Sequence, residues 1–293
     1  MVSAMLEQPA NDLGQPDLRF LAAETERRTL GGIGAPAVPT VRQILFRRLP
    51  FMRLTDRIGM RLLMLFVRRQ IVAISGIEHV LTTQPFILAL NHSTRREALV
   101  VPTALVFHRG GCLIHFWSDW MFRLIPGLAF VLRRSGTIVV PTKRSRYRAA
   151  NLVKPLFEPE QSALEQARGH LAARHAIGVF PEGTVNRDAR HLLPGRHGAA
   201  RLSLETGAPV IPVGIRFPGQ PAGAPIPEHA AMEIHIGAPL VPPSFAGRRA
   251  SLADVAAWHA AIMSEIARLS GKSWEPRRRR ARIARAAPTA DAA

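Results

Sequence analysis

The order of apolar segments along the chain predicts an α/β protein: a single domain with a mixed sheet covered by helices, preceded by an N-terminal amphipathic helical segment. Between about residues 70 and 237, β-rich apolar runs alternate with stretches of helical period, which is typical of a sheet with helices packed against it. The composition agrees, because 47% of the 293 residues are hydrophobic and 20% are charged, as in folded globular proteins. We find no internal repeat and no second domain of comparable size.

The apolar runs predict seven strands and five helices. The predicted strands are Ile71–Ser75, Phe86–Leu90, Cys112–Trp117, Thr137–Val140, Ile177–Phe180, Val210–Arg216 and Met232–Ile236. The predicted helices are Glu97–Phe107, Trp120–Arg133, Gln161–His175, Arg196–Thr206 and Ser251–Ser270. We therefore place the folded domain at residues 71–272.

The two ends of the chain differ from its middle. Residues 1–40 are rich in Pro, Gly and Ala without a sustained apolar period and predict a disordered leader, while residues 273–293 predict a basic disordered tail. No basic region followed by an apolar core opens the chain, so we expect no secretory signal. The single cysteine, Cys112, excludes an intramolecular disulfide and favours a reducing compartment. These features favour the cytoplasmic side of a cell membrane as the location.

The positive charge of the chain is concentrated in two segments. Residues 41–70 hold eight arginines and one aspartate, and residues 272–285 hold six arginines, one lysine and one glutamate. Together they carry most of the net charge of +18. An anionic partner is therefore expected near both, either nucleic acid or an anionic lipid surface.

Helical periodicity favours the lipid surface. Within residues 51–70, Arg53, Arg57, Arg61 and Arg68 form one narrow stripe, and nearly all the rest of the circumference is apolar. The uncharged stretches are far shorter than the roughly 20 residues of a membrane span, so we predict a helix lying in the interface, with its arginines against anionic lipid. The alternative is an ordinary helix packed on the core. Nucleic acid is not expected, because no stacking aromatics alternate with the arginines and no nucleic-acid-binding motif is present.

A polar cluster, Asn-His-Ser-Thr-Arg-Arg-Glu at residues 91–97, directly follows the second predicted strand. His92 and Glu97 would lie about 140° apart on a continuous helix, so they can meet only across a strand-to-helix turn. A carboxylate that orients a histidine and balances its charged form makes a general base. Thr94 and Glu97 also have the spacing of a capping box, in which Glu97 only caps the helix that it begins. The residues alone leave both interpretations open.

A second segment, Phe-Pro-Glu-Gly-Thr at residues 180–184, ends another predicted strand in a turn. Its glycine permits a close backbone approach, and the backbone N–H groups of such a turn can bind an oxyanion or a phosphate. Taken alone, the same residues could form an ordinary turn.

Together these segments resemble the lysophosphatidic acid and glycerol-phosphate acyltransferase family over roughly residues 70–216. Asn91 and His92 match the start of the family's first motif, Asn-His-x-x-x-x-Asp, with Glu97 in the place of the aspartate. Residues 180–184 match the third motif, Phe-Pro-Glu-Gly-Thr, residue for residue, and residues 208–213 resemble the fourth.

The second motif of that family, a glycine followed by apolar residues and an arginine, is less regular here. Residues 136–144 are similar to it, but the basic residue arrives one or two positions late. Either Lys143 or Arg144 is then expected to hold the phosphate of the acceptor. Arg144 is favoured because a guanidinium can bind a phosphate through two hydrogen bonds. The alternative is that both side chains are simply solvated.

The resemblance implies transfer of a fatty acyl group from acyl-CoA or an acyl carrier protein onto the hydroxyl of a lysophospholipid such as 1-acyl-glycerol-3-phosphate, in phospholipid biosynthesis. It implies that His92 is the catalytic base and that Glu97 orients it. The residues that it implies for substrate binding are Lys143, Arg144, Glu182, Gly183, Thr184 and Arg187.

The same resemblance implies no cofactor besides the thioester co-substrate. No metal site is expected either, because the eleven histidines are scattered without paired ligand spacing. The expected partners are an anionic membrane surface, the lysophospholipid and the acyl donor. Two alternatives stay open: the same chemistry on glycerol-3-phosphate, a lyso-aminolipid or a glycolipid, and a lipid-binding protein without catalytic activity.

Overall fold

The computed structural model describes residues 38–140, 151–152, 154–157, 159–221, 223–245 and 248–276. Most of the predicted leader and of the predicted tail lies outside these residues, as do Lys143 and Arg144. Residues 273–276, which follow the predicted end of the domain at residue 272, are described as well. Among them, Ser273 donates its backbone N–H to the carbonyl of Arg190 at 2.7 Å.

One sheet organises the described chain and confirms the predicted mixed α/β fold. Its seven strands are β1 Ile71–Ser75, β2 Ile87–Leu90, β3 Ile114–Asp119, β4 Ile138–Val140, β5 Ala176–Val179, β6 Val210–Arg216 and β7 Met232–Ile236. They are arranged in the order β1-β7-β6-β2-β5-β3-β4. Neighbouring strands are parallel except for the antiparallel pair β6 and β7, so the sheet is mixed.

Helices precede and connect the strands. They are α1 Val41–Phe46, α2 Leu54–Val67, α3 Glu97–His108, α4 Pro126–Arg134, α5 Ala163–Ala172, α6 Gly198–Thr206 and α7 Leu252–Ser270. The helix predicted over residues 120–133 is divided into a 3₁₀ turn, Trp120–Leu124, and α4. The division falls at Pro126, which lacks an N–H to donate to the preceding turn and therefore begins a helix.

Strand β2 shows that both faces of the sheet are covered. Leu88 and Leu90 belong to one apolar cluster, which also contains buried residues of α2 and α3. Ile87 and Ala89, which point to the opposite face, belong to a second cluster with residues of α5, α6 and α7. Strand β2 is also the fourth of the seven strands, so its carboxyl end lies at the middle of one edge of the sheet.

Helix α2 turns an apolar face outward. Leu54, Ile58, Leu62 and Phe66 follow one another at intervals of four residues and are between 54% and 69% exposed. We refer to these four residues as the apolar face.

The arginines of the predicted stripe are oriented differently from the expectation. Arg57 donates through Nε to the carbonyl of Met52 at 2.8 Å, and Arg61 donates to the carbonyl of Arg47 at 3.2 Å. Both side chains are partly buried, whereas Arg53 is exposed. The interpretation that the whole stripe faces lipid is therefore corrected for Arg57 and Arg61, which instead fix the connection between α1 and α2.

Among the described helices, none combines the length and the apolar character that crossing a bilayer requires.

Candidate active site

The two polar segments meet because β2 and β5 are adjacent parallel strands. Ala89 pairs with Val179, so the segments that follow the two strands leave the same edge of the sheet. The backbone N–H of His92 donates to Glu182 Oε1 at 2.9 Å, and the backbone N–H of Asn186 donates to the carbonyl of His92 at 2.7 Å. The backbone N–H and the backbone carbonyl of His92 are therefore both hydrogen-bonded to the segment after β5.

A strand-to-helix turn brings the carboxylate of Glu97 to His92. Helix α3 begins at Glu97, and His92 Nδ1 lies 3.4 Å from Glu97 Oε2. The His92 side chain is 14% exposed, and its ring packs on that of Phe180 with the centroids 4.3 Å apart. With Nδ1 facing the carboxylate, Nε2 is the ring nitrogen left to act as an acid or base toward a substrate.

The carboxylate of Glu97 also holds the turn that precedes α3. It accepts hydrogen bonds from the backbone N–H groups of Thr94 at 2.9 Å and Ser93 at 2.8 Å. The capping-box interpretation is wrong, because α3 begins at Glu97 with Arg96 as its N-cap, and buried Thr94 Oγ1 has no partner among the described residues. One carboxylate thus holds the turn and contacts the imidazole.

Burial and hydrogen bonding shift the pKa of the Glu97 carboxyl in opposite directions. The side chain is completely buried, and desolvation raises the pKa of its carboxyl above the ordinary value. The hydrogen bond and charge of His92, together with the Ser93 and Thr94 amides, lower that pKa and offset part of the effect. Its ionised form is therefore favoured by these neighbours and not by solvent.

Asn91 fixes the beginning of the first motif, a role that the sequence did not reveal. Its side-chain Oδ1 accepts from the backbone N–H of Ile215 at 2.7 Å, and Nδ2 donates to the Ile215 carbonyl at 3.2 Å. This two-way bond fastens the end of β2 to β6. Only the register of the two strands could have predicted it.

Glu182 holds the segments around His92 together. Oε1 accepts from the His92 backbone, and Oε2 accepts from Asn186 Nδ2 at 2.8 Å and from the backbone N–H of Leu193 at 2.9 Å. The residue is 5% exposed. These contacts are all within the protein, so the expected contact with a substrate stays a prediction.

Gly183 forms a turn with φ +68°, a conformation that strains other residues. Its backbone N–H donates to the carbonyl of Phe180 at 2.9 Å and is therefore already used. The next N–H, that of exposed Thr184, has no partner among the described residues and is therefore available to an oxyanion. The turn thus offers a backbone donor one residue later than the glycine.

Arg187 forms an ion pair with Glu228. The arginine side chain is 50% exposed, and Glu228 Oε1 also accepts from the backbone N–H of Arg95 at 2.7 Å. This pair joins the loop before β7 to both polar segments. The predicted phosphate ligands Lys143 and Arg144 lie outside the described residues, so their role stays a prediction.

Lys272 is a buried cation beside the motif that the sequence analysis missed. It follows α7, is 7% exposed, and donates through Nζ to Ser93 Oγ at 2.8 Å and to the carbonyl of Asp188 at 2.7 Å. Burial lowers the pKa of its ammonium group, while the charges of Glu182, Glu97 and Asp188 oppose that shift. The lysine thus supplies positive charge near two buried carboxylates.

Comparison with known proteins agrees with this geometry. Residues 71–216, which include both polar segments, match the family described as Acyltransferase. The protein 1-acyl-sn-glycerol-3-phosphate acyltransferase alpha of Homo sapiens is 26% identical over 142 residues, covering 48% of this chain and 44% of that protein. The same enzyme of Mus musculus is 27% identical over 142 residues, with the same coverage. The matched segment spans less than half the length of these relatives.

A solved structure shows a similar fold. The 1-acyl-sn-glycerophosphate acyltransferase PlsC from Thermotoga maritima superimposes with a TM-score of 0.50, covering 87% of this chain and 97% of that one. The two sequences are 17% identical. The similarity therefore supports the α/β architecture described above.

Replacing Glu97 tests whether its carboxylate serves His92. Glu97→Gln removes the charge that balances an imidazolium, so we expect kcat for acyl transfer to fall by about 10²–10⁴. Glu97→Asp is the matched control and is expected to stay active, because the charge is kept. Steady-state kinetics and thermal unfolding of both variants make the comparison. If Glu97→Gln loses only about 1 kcal/mol of stability and keeps its activity, the carboxylate only holds the turn before α3.

Replacing Lys272 tests whether this cation supports the site. We expect Lys272→Met to lower kcat at least about tenfold and to move the acid limb of the kcat–pH profile to higher pH, since losing a nearby cation raises a carboxyl pKa. Lys272→Gln keeps hydrogen-bond donors without the charge and should show the same shift in the pH profile with a smaller loss of stability. Unchanged pH profiles in both variants would assign Lys272 a purely structural role.

Proposed function

Because this chain belongs to the acyltransferase family through residues 71–216, we propose that it transfers a fatty acyl group from a thioester donor to the hydroxyl of a lysophospholipid such as 1-acyl-glycerol-3-phosphate. The donor is acyl-CoA or an acyl carrier protein, and the product serves phospholipid synthesis. The observation that carries the proposal is the His92–Glu97 contact at the edge of the sheet where the two polar segments meet.

The reaction needs one base and no covalent acyl-enzyme. His92 Nε2 removes the proton of the acceptor hydroxyl, and the oxygen attacks the thioester carbonyl. Glu97 balances the imidazolium, while the backbone N–H of Thr184 binds the tetrahedral oxyanion. When the carbon–sulfur bond breaks, the imidazolium returns its proton to the departing thiolate, which leaves an ester and a free thiol.

A phosphate on the acceptor is supported by the basic residues near the polar segments. Arg187 is half exposed next to the segment after β5, and Lys143 or Arg144 would supply a second cation beyond the end of β4. Strand β4 is parallel to β3, and β3 is parallel to β5, so its carboxyl end lies at the same edge of the sheet as His92. The related enzymes are named for an acylated glycerol phosphate as acceptor, which supports this assignment.

Replacing His92 tests the proposed function. With a radiolabelled acyl-CoA or acyl carrier protein and a panel of lyso-acceptors, His92→Ala is expected to reduce transfer by at least about 10²–10⁴. Its circular dichroism spectrum should match that of the original protein, and exposed His229→Ala should keep full activity. An active His92→Ala protein would refute the mechanism. If the original protein transfers nothing but binds the acceptor vesicles, it is a lipid-binding protein instead.

We also propose that the protein works at an anionic membrane surface, through its apolar face and not through a bilayer span. Phe46 of α1, 77% exposed, extends the outward apolar surface that Leu54, Ile58, Leu62 and Phe66 begin. Exposed arginines lie in or next to the same two helices, at positions 42, 48, 53 and 69. Apolar side chains beside arginines suit the boundary between lipid tails and anionic headgroups.

Vesicle flotation separates the two contributions to membrane binding. Replacing all four residues of the apolar face by serine leaves the charge unchanged, and we expect binding to fall at least about tenfold, since each buried aliphatic or aromatic side chain contributes about 1.5–3 kcal/mol. Replacing Arg42, Arg48, Arg53 and Arg69 by glutamine should remove mainly the part of binding that salt screens. Equal binding by the original protein and the serine variant would show that this face does not contact lipid.

A further inference from the structure

Three histidines that are far apart in the sequence come together on the side of the sheet opposite to Phe116. His115 lies in β3, His170 in the last turn of α5, and His175 just before β5. Each offers one ring nitrogen, and these three atoms all lie within 4.8 Å of one another. We refer to these residues as the histidine cluster. Since Phe116 and its neighbour Phe180 lie toward His92, the cluster is separate from the candidate active site.

The end of α5 places two of the three rings against each other. The backbone N–H of His175 donates to the carbonyl of His170 at 2.9 Å, which closes the helix as a Schellman cap does. The left-handed position of that cap is occupied by Arg174, with φ 63°, where glycine is usual. The cap folds His175 back until its Nδ1 lies 3.3 Å from Nδ1 of His170. Arg174 therefore adopts a strained backbone conformation at the position that creates this contact.

The third ring is fixed by a backbone carbonyl. His115 Nδ1 lies 2.9 Å from the carbonyl oxygen of Gly136, which requires the proton on Nδ1 and leaves Nε2 with a free lone pair. A Cβ at position 136 would lie 2.5 Å from that same Nδ1, so the site has room for the ring only because residue 136 is glycine. A carbonyl that orients a histidine through its second nitrogen is the usual support of a metal ligand.

We propose that the histidine cluster binds a divalent transition-metal ion of the zinc class through one nitrogen of each imidazole. Two nitrogens that are each about 2.0–2.1 Å from a tetrahedral zinc lie about 3.3–3.4 Å from each other. The separation of the two Nδ1 atoms, 3.3 Å, fits this value. The rings of His115 and His170 are stacked with their centroids 4.0 Å apart, so the His170 ring must rotate to point at the same ion as His115. Imidazole-only ligands suit zinc, copper and nickel better than magnesium or calcium. Three protein ligands leave one coordination position for water.

Burial of the three imidazoles favours their neutral form, which is the form that binds a metal ion. Burial, with the neighbouring histidines, lowers the pKa of His115 to about 3, and burial lowers the pKa values of His170 and His175. A lowered pKa favours the neutral imidazole. His170 and His175 are only partly buried, so an ion can enter from solvent.

The ion would fasten β3 to the corner between α5 and β5. Strands β3 and β5 already pair, with His115 opposite Ile177, and side chains of α5 pack in the same apolar cluster as those of β5. A metal bound to all three histidines stabilises the folded chain, because the unfolded chain does not hold the ligands together. Its function is structural and does not depend on the proposed acyl transfer.

Metal binding is tested on the full chain without a histidine tag, after treatment with a chelator. Zn²⁺ is titrated against a chromophoric chelator, and thermal unfolding is measured with and without Zn²⁺. We expect one ion per chain and a higher Tm with zinc. The double variant His170→Gln with His175→Gln should bind at least 100-fold more weakly and show no rise in Tm, whereas the exposed control His229→Gln should behave like the original protein.

A spectroscopic measurement keeps the test valid if the double variant folds poorly. Co²⁺ bound to the original protein is expected to show the intense visible d–d bands of a tetrahedral site, and added Zn²⁺ should abolish them. Equal zinc affinity in the double variant and the original protein would overturn the proposal. So would zinc binding that does not saturate, or Co²⁺ spectra without tetrahedral bands, which would show that the rings are joined only by a hydrogen bond between His170 and His175.

Discussion

The candidate site depends on buried carboxylates that accept hydrogen bonds from the backbone. Glu97 holds the turn of residues 92–97, and Glu182 holds the His92 peptide against the segment after β5. A carboxylate taken out of water loses several kcal/mol of hydration, which only hydrogen bonds and nearby positive charge can offset. Both requirements are met here, because each oxygen has an N–H partner and Lys272 lies nearby. The position of His92 is thus determined by electrostatics within the protein.

The sheet was predictable because its strands are short apolar runs that turn signals bound. Strands β1, β6 and β7 begin and end at the predicted residues, and the others differ by a few residues at their ends. The pairing of β2 with β5, which creates the site, needs the strand order, and a single sequence does not contain it. Helix α2 shows a related limit: nearly all of its circumference is apolar, so periodicity revealed the arginine stripe but not which side faces the protein.

The residues that sequence reasoning missed act through contacts between distant parts of the chain. Lys272 reaches Ser93 across 179 positions, and Glu228 meets Arg187 across 41. Neither Lys272 nor Glu228 belongs to a sequence motif. Only the folded structure shows which residues they contact. The histidine cluster follows the same rule. The histidines lack paired ligand spacing in the sequence, yet parallel pairing of β3 with β5 and the cap of α5 bring one nitrogen of each ring within 4.8 Å of the other two.

The glutamate at position 97, where the resemblance implies aspartate, is consistent with a general-base site for a geometric reason. Helix α3 begins at this residue, and its carboxylate reaches back three positions to the amide of Thr94 in the preceding turn. The start of a helix also favours negative charge, by about 0.3–1 kcal/mol at exposed positions and more where the site is buried. Those contacts leave Oε2 beside His92 Nδ1. The turn therefore orients the carboxylate, and the longer side chain allows one residue to hold the turn and to contact the imidazole of His92.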